Sequence, residues 1–151
     1  MLRIGDQAPD FELLDDQGKT QRLSELLADG PLVLYFYPKD FTLVCTQQAC
    51  MFKAEQPTLI AAGVRVIGVS PQVHDRHQSF RAHYRLPFPL LADPERKVIR
   101  AFGAQGLLGV RRVSYLIGRD GRILDRVHAA LLVRRHRAFV RRVQQRLQAA
   151  R

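Results

Sequence analysis

Tyr37-Pro38-Lys39-Asp40-Phe41-Thr42-Leu43-Val44-Cys45-Thr46-Gln47-Gln48-Ala49-Cys50 holds both cysteines of a 151-residue chain, five positions apart. Residues 32–37, just before and into it, are apolar at every position. Such a run reads as a strand covered on both faces. The segment after it, 43–62, reads as a helix with Thr42 at its N-cap. A thiol in the first turn of a helix sits where unpaired backbone N–H groups and the positive end of the helix dipole gather. Those surroundings suit the thiolate, which is the nucleophilic form of cysteine. The stretch therefore predicts a strand-to-helix junction with a reactive cysteine at the joint.

The bulk numbers set the frame around that junction. A length of 151 residues with 46% apolar composition predicts one domain, 1–151, with a single core. The longest apolar run, 31–37, is far too short to span a bilayer, and the first residues lack the apolar core of a secretory signal. A cytoplasmic protein with no membrane partner is the expectation. In a reducing compartment two cysteines read as catalytic rather than as a structural staple. They are too few for a four-cysteine zinc site, and His74 and His77 read as part of a solvated helix face, so no metal is expected. The net charge of +10 and pI near 10.6 raise the question of nucleic acid. Arginine is spread along the chain and no helix-turn-helix or zinc-finger pattern accompanies it, so a basic solubilising surface is expected and no specific nucleic-acid partner.

Either side of the junction the pattern alternates. Residues 10–22 read as a hairpin around an Asp-Gln-Gly turn, and Ser24 as the N-cap of a short helix over 25–28. Pro57 predicts a kink or break in the long helix. Residues 64–70 form a second core strand, 73–84 a polar amphipathic helix, and 88–93 a short strand whose Pro89 suggests a sheet edge. Asp93 and Pro94 read as the start of a helix through 102. Residues 103–109 read as a loop, 110–127 as a hairpin turning at Asp120-Gly121, and 133–149 as a closing helix with Phe139, Val140, Val143 and Leu147 on one face. The sum is a mixed α/β layer architecture.

Three segments in order resemble the peroxiredoxins, thiol peroxidases of the thioredoxin fold. Pro38-x-x-x-Thr42-x-x-Cys45 matches their active-site motif, and Cys50 five residues later is similar to the peroxiredoxin Q, or bacterioferritin comigratory protein, branch. The stretch 5–11 looks like the family's opening, and 112–117 followed by Asp120-Gly121 looks like its closing hairpin with the active-site arginine, Arg112. The chain departs from the pattern at Gln48, where glutamate is usual, at Leu43-Val44 in place of Pro-Gly, and at Phe41 in place of an acid.

The resemblance implies a thioredoxin-like α/β fold, a mixed central sheet flanked by helices with an N-terminal β-hairpin extension. It also implies a mechanism. Cys45 attacks a hydroperoxide and becomes a sulfenic acid. Thr42, Arg112 and backbone N–H groups meet the developing charge, and Pro38 walls the pocket. Cys50 resolves the sulfenic acid as a disulfide, which thioredoxin or glutaredoxin reduces. No cofactor is needed, and no glycine-rich phosphate loop is present to hold one. Five residues of intact helix rise about 7.5 Å and turn about 140°, whereas a disulfide needs Cα atoms about 4.4–6.8 Å apart; the turn from Cys45 to Cys50 must therefore unwind. A buried packing role is the other reading of Cys50. A monomer is expected, although dimers occur among similar proteins. Two alternatives stand beside this reading: a thioredoxin-like thiol–disulfide oxidoreductase, which calls for a Cys-x-x-Cys pair, and a basic nucleic-acid or membrane-surface protein with incidental cysteines.

Overall fold

A computed structural model describes residues 1–149. Its centre is β3 (Leu32–Phe36), buried at all five positions. β4 (Arg65–Ser70) runs parallel to it on one side and β8 (Val113–Ile117) antiparallel on the other. The full seven-stranded sheet adds β1 (Glu12–Asp15), β2 (Thr20–Arg22), β5 (Leu90–Ala92) and β9 (Ile123–His128), in the order β2-β1-β5-β4-β3-β8-β9. Successive side chains of β3 alternate between faces. Leu32, Leu34 and Phe36 pack under α1 (Leu23–Ala28) and α4 (Lys97–Ala101). Val33, Tyr35 and Tyr37 pack under α2 (Leu43–Ala61), α3 (His74–Tyr84) and α5 (Val133–Ala149). Both faces are covered, which is why the central strand carries no polar alternation.

Several local expectations change once the chain is folded. β5 lies inside the sheet, between β1 and β4, rather than at an edge. Pro89 precedes the paired residues and its carbonyl accepts the Gly68 N–H at 3.3 Å, so the missing donor leaves no gap in the ladder. α1 begins at Leu23, and Asp10, from an earlier segment, accepts the Ser24 N–H and hydroxyl. α4 begins at Lys97 because Arg96 takes a left-handed conformation (φ 60), while the Asp93 carboxylate reaches the Ile99 N–H from outside the helix. The loop after α4 folds into a small ribbon, β6 (Gln105–Gly106) and β7 (Gly109–Val110), with Leu107 and Leu108 fully exposed at its tip. α2 runs through Pro57 without a break. Pro57 and Lys53, whose carbonyl loses its N–H partner, both lie on the exposed side.

Under α2 the core is aromatic. Tyr35 stacks on Phe52 with ring centroids 4.5 Å apart and on Tyr37 at 5.4 Å. Gly68 makes this possible: a Cβ there would stand 2.8 Å from the Tyr35 ring and 2.9 Å from Leu90. Gly68→Ala should therefore push Tyr35 out of its stack and lower stability by about 1–3 kcal/mol, measurable as a lower urea midpoint.

Candidate active site

Cys45 lies in the first turn of α2 and is almost fully buried, at 1% exposure. Its Sγ accepts a hydrogen bond from an Arg112 guanidinium N–H at 2.7 Å. The two residues are 67 apart in sequence, and strand register brings them together. β8 pairs with β3 so that Val113 opposes Phe36. Arg112, one residue outside that pair, thus stands at the strand end from which the chain enters α2. A half-buried guanidinium against a buried sulfur is a fixed positive donor aimed at a group that reacts as an anion.

Gln48 lies one helical turn beyond Cys45 and is fully buried. Its Oε1 is 3.5 Å from the same Arg112 nitrogen, and its Nε2 is 3.5 Å from His136 Nδ1 on α5. His136 is held from both sides. Nε2 donates to the Ala129 carbonyl at 3.1 Å, which leaves Nδ1 to accept from the Ser114 hydroxyl at 2.8 Å. Burial pushes the His136 pKa down against the pull of the Ala129 carbonyl, and the Arg112 charge adds to the downward shift. His136 and Ser114 escaped the sequence reading. Their only signal is a polar residue on the inner face of an otherwise apolar helix or strand.

The other expected residues fall around this centre with less contact. Thr42 occupies the N-cap position of α2 in extended conformation, but its hydroxyl makes no cap. Instead Oγ1 donates to the Lys39 carbonyl at 2.8 Å, within the loop itself. Pro38 follows Tyr37 at the end of the strand and is half-buried. Cys50 is half-buried on α2, lining with Gln47, Met51, Val133, Arg134 and Arg137 an open cavity of about 430 Å³. Both thiols are free and α2 is helical throughout the interval between them.

His77 overturns its reading as part of a solvated face. It is fully buried, with Nδ1 2.6 Å from the Asp40 carboxylate. The reason is packing: α3 lies on β5 and on the loop before Cys45, and His77 and Phe80, one turn apart, make its inner stripe. His74 stays at the surface beside Asp75. Among the described residues no three His, Cys, Asp or Glu side chains gather as a metal site.

The profile of the AhpC/TSA family matches residues 4–126. Peroxiredoxin Bcp of Bacillus subtilis (strain 168) is 38% identical over 131 residues, covering 82% of this chain and 83% of its own length. This chain belongs to the AhpC/TSA family. Chloroplastic peroxiredoxin Q of Triticum aestivum, 42% identical over 122 residues and matched over 81% of this chain and 54% of its own, points to the same branch. Among solved structures, peroxidoxin BcpB from Mycobacterium tuberculosis superposes with a TM-score of 0.90 at 33% identity, covering 100% of this chain and 99% of that one. Peroxiredoxin Q from Xanthomonas campestris superposes at 0.80 with 27% identity over 92% and 90% of the two chains. The protein is thus a peroxiredoxin of the Bcp/Q branch on a thioredoxin-like α/β fold, and a thiol-dependent peroxidase. Its family acts on hydroperoxides with thioredoxin-type reductants. No helix of the described residues is long and apolar enough to cross a membrane.

The buried His136 gives this peroxiredoxin an acid-sensitive element. Because its pKa is lowered by folding, the unfolded chain binds more protons than the folded one between the folded value and the unfolded value of about 6.5. The stabilisation from a neutral, buried His136 is complete above the unfolded value and is lost as pH falls through the folded one. Thermal melts from about pH 7.5 to 5 should show the wild-type midpoint falling with acidification, and His136→Gln should flatten the part of that slope below about pH 6.5.

Proposed function

We propose that Cys45 is the peroxidatic cysteine of a two-cysteine cycle that reduces hydrogen peroxide and organic hydroperoxides. The observation that carries this is the 2.7 Å hydrogen bond from Arg112 to the buried Sγ of Cys45. The thiolate attacks the terminal peroxide oxygen, the O–O bond breaks, and the leaving oxygen takes a proton to depart as water or an alcohol. Cys45 is left as a sulfenic acid. Arg112 meets the negative charge on sulfur before attack and on the peroxide oxygens during it, as a charged donor already aimed at a buried sulfur.

Thr42 and Pro38 complete the pocket. While the Thr42 hydroxyl donates to the Lys39 carbonyl, its own oxygen is still free to accept the peroxide O–H. Pro38, with no N–H, keeps one wall apolar. Cys50 then attacks the sulfenic acid, and water leaves as the disulfide forms. Both thiols sit on one continuous helix, so the turn from Cys45 to Cys50 has to unwind before the sulfurs meet. A dithiol protein such as thioredoxin or glutaredoxin reduces the disulfide by exchange. A cycle that must return both cysteines to thiols suits a reducing compartment such as the cytoplasm. The chain acts as one domain, and its charge of +10 favours a monomer through self-repulsion.

Peroxide consumption coupled to thioredoxin tests the assignment. Cys45→Ser should be inactive. Cys50→Ser should reduce one equivalent of peroxide and then stall. Arg112→Met should retain the fold and lose about 10²–10³ in kcat/KM for peroxide, the usual loss when one preorganised donor is removed. A Cys50→Ser enzyme that cycles normally with thioredoxin would assign Cys50 to packing and leave Cys45 working alone.

A further inference from the structure

The loop that delivers Cys45 to α2 is strapped down by a buried polar cluster that the peroxide chemistry does not use. Asp40, five residues before Cys45, is 1% exposed. Its Oδ1 accepts the Tyr37 hydroxyl at 2.6 Å and its Oδ2 faces His77 Nδ1 at 2.6 Å. On the far side of the ring, His77 Nε2 is 3.0 Å from the Leu91 carbonyl of β5. Nδ1 faces the Asp40 carboxyl group and Nε2 the Leu91 carbonyl, so the ring links the loop to β5 through α3. The Asp40 N–H is taken up as well, by the Gln72 side chain at 3.1 Å. Charge-assisted bonds of this length in a dry interior are among the stronger single contacts a protein makes.

What they restrain is a strained turn. Phe41, immediately after Asp40, has φ 64, in the left-handed region that a bulky side chain rarely adopts. Its ring is pinned edge-on against Phe80 at 5.1 Å and lies under the Arg76 guanidinium at 4.7 Å. One residue later comes Thr42, and then the first turn of α2. A left-handed residue held by its neighbours relaxes toward extended backbone when they let go, and such a change would pull on the first turn of the helix.

We propose that Asp40 and His77 form a latch that holds the Phe41 turn, and through it the first turn of α2, in the geometry that reacts with peroxide. Release of the latch favours the unwinding that brings Cys45 to Cys50. Asp40 and His77 are positioning residues; neither touches the reacting sulfur. The latch sets the partition between the two steps, the peroxide reaction needing it closed and disulfide formation needing it open. This rests on the two-cysteine reading above.

The test separates the steps. Reduced protein is mixed with hydrogen peroxide, quenched at intervals, and its sulfenic acid and disulfide forms are quantified by mass spectrometry. Asp40→Asn and His77→Gln should slow sulfenic acid formation and speed disulfide formation, each by about tenfold, the factor expected for loss of one charge-assisted hydrogen bond. Phe102→Leu, in the core on the opposite face of the sheet, serves as a control of comparable loss in Tm and should leave both steps at wild-type rates. Gln72→Ala removes only the backbone restraint on Asp40 from a half-buried site. It carries the test should the other variants fail to fold, with both rates moving in the same opposed directions by about two- to threefold, since a neutral hydrogen bond is the weaker contact. Rates unchanged in folded variants, two rates moving in the same direction, or the same opposed shift in Phe102→Leu would each overturn the latch. If the Cys45→Ser protein still consumes peroxide, the two-cysteine reading fails first and the latch falls with it.

Discussion

Everything at the active site depends on the antiparallel register between β3 and β8. Val113 opposes Phe36, so the residue before Val113 comes to the end of β3 where the chain turns into α2. A slip of one residue would turn Arg112 to the other face of the sheet and leave Cys45 without its donor. The register is held because both strands are buried on both faces, with Leu34 opposite Tyr115 and Val33 opposite Leu116 as part of two separate cores. A slip would drive side chains from one core into the other. The arrangement of one thiol and one guanidinium is therefore secured by packing around the sheet more than by its own 2.7 Å contact.

That guanidinium has an unusual surround. Its neighbours are a sulfur, a neutral amide and, behind the amide, an imidazole that burial keeps from protonating readily. With Gln48 in the bracing position, no carboxylate within ion-pair distance competes with Cys45 for the charge of Arg112 among the described residues. A carboxylate there would share the guanidinium and hold it more tightly, at the expense of its attraction for the thiolate. The amide gives up that grip, and the Ser114–His136–Ala129 chain supplies rigidity on its far side.

The two buried polar clusters flank α2's first turns in different ways. The His136 cluster, on α5, sits beneath the helix and orders the residue that holds Arg112. The Asp40–His77 cluster lies upstream and fastens the chain before the helix begins. Buried polar groups are costly unless fully paired, and each member of these clusters has its partner. Only the Tyr35 hydroxyl and the Gln56 side-chain oxygen lack one among the described residues. The site thus combines a well-packed aromatic floor with a helix start held by polar contacts, and polar contacts can be exchanged without repacking a core.

Much was legible in the sequence because it depends on neighbours along the chain. The unbroken apolar run into Tyr37 marks a strand covered on both faces, and the inner stripe of α5 follows the 3.6-residue period; the spacing from Pro38 through Thr42 to Cys45 and Cys50 is legible through its resemblance to the peroxiredoxin motif. Those patterns determine the strand, the helix and the place of the thiol at their junction. They are silent on which strand lies beside which, so Pro89 suggested an edge for a strand that the sheet places between β1 and β4. They are equally silent on which polar residues are covered. His77 reads as surface in a polar helix and becomes buried because a loop 37 residues earlier supplies a carboxylate to meet it. Ser24 and Thr42 have the side chains of helix caps, yet distant or looping partners claim their hydroxyls. By itself the sequence determined the main strands and helices and the place of Cys45 at a strand-to-helix junction, since local sterics and hydrophobic period decide these; only the tertiary structure decided the partners of Arg112, Gln48, His136, Asp40 and His77, because each of those bonds joins chain segments that nothing in local order brings together.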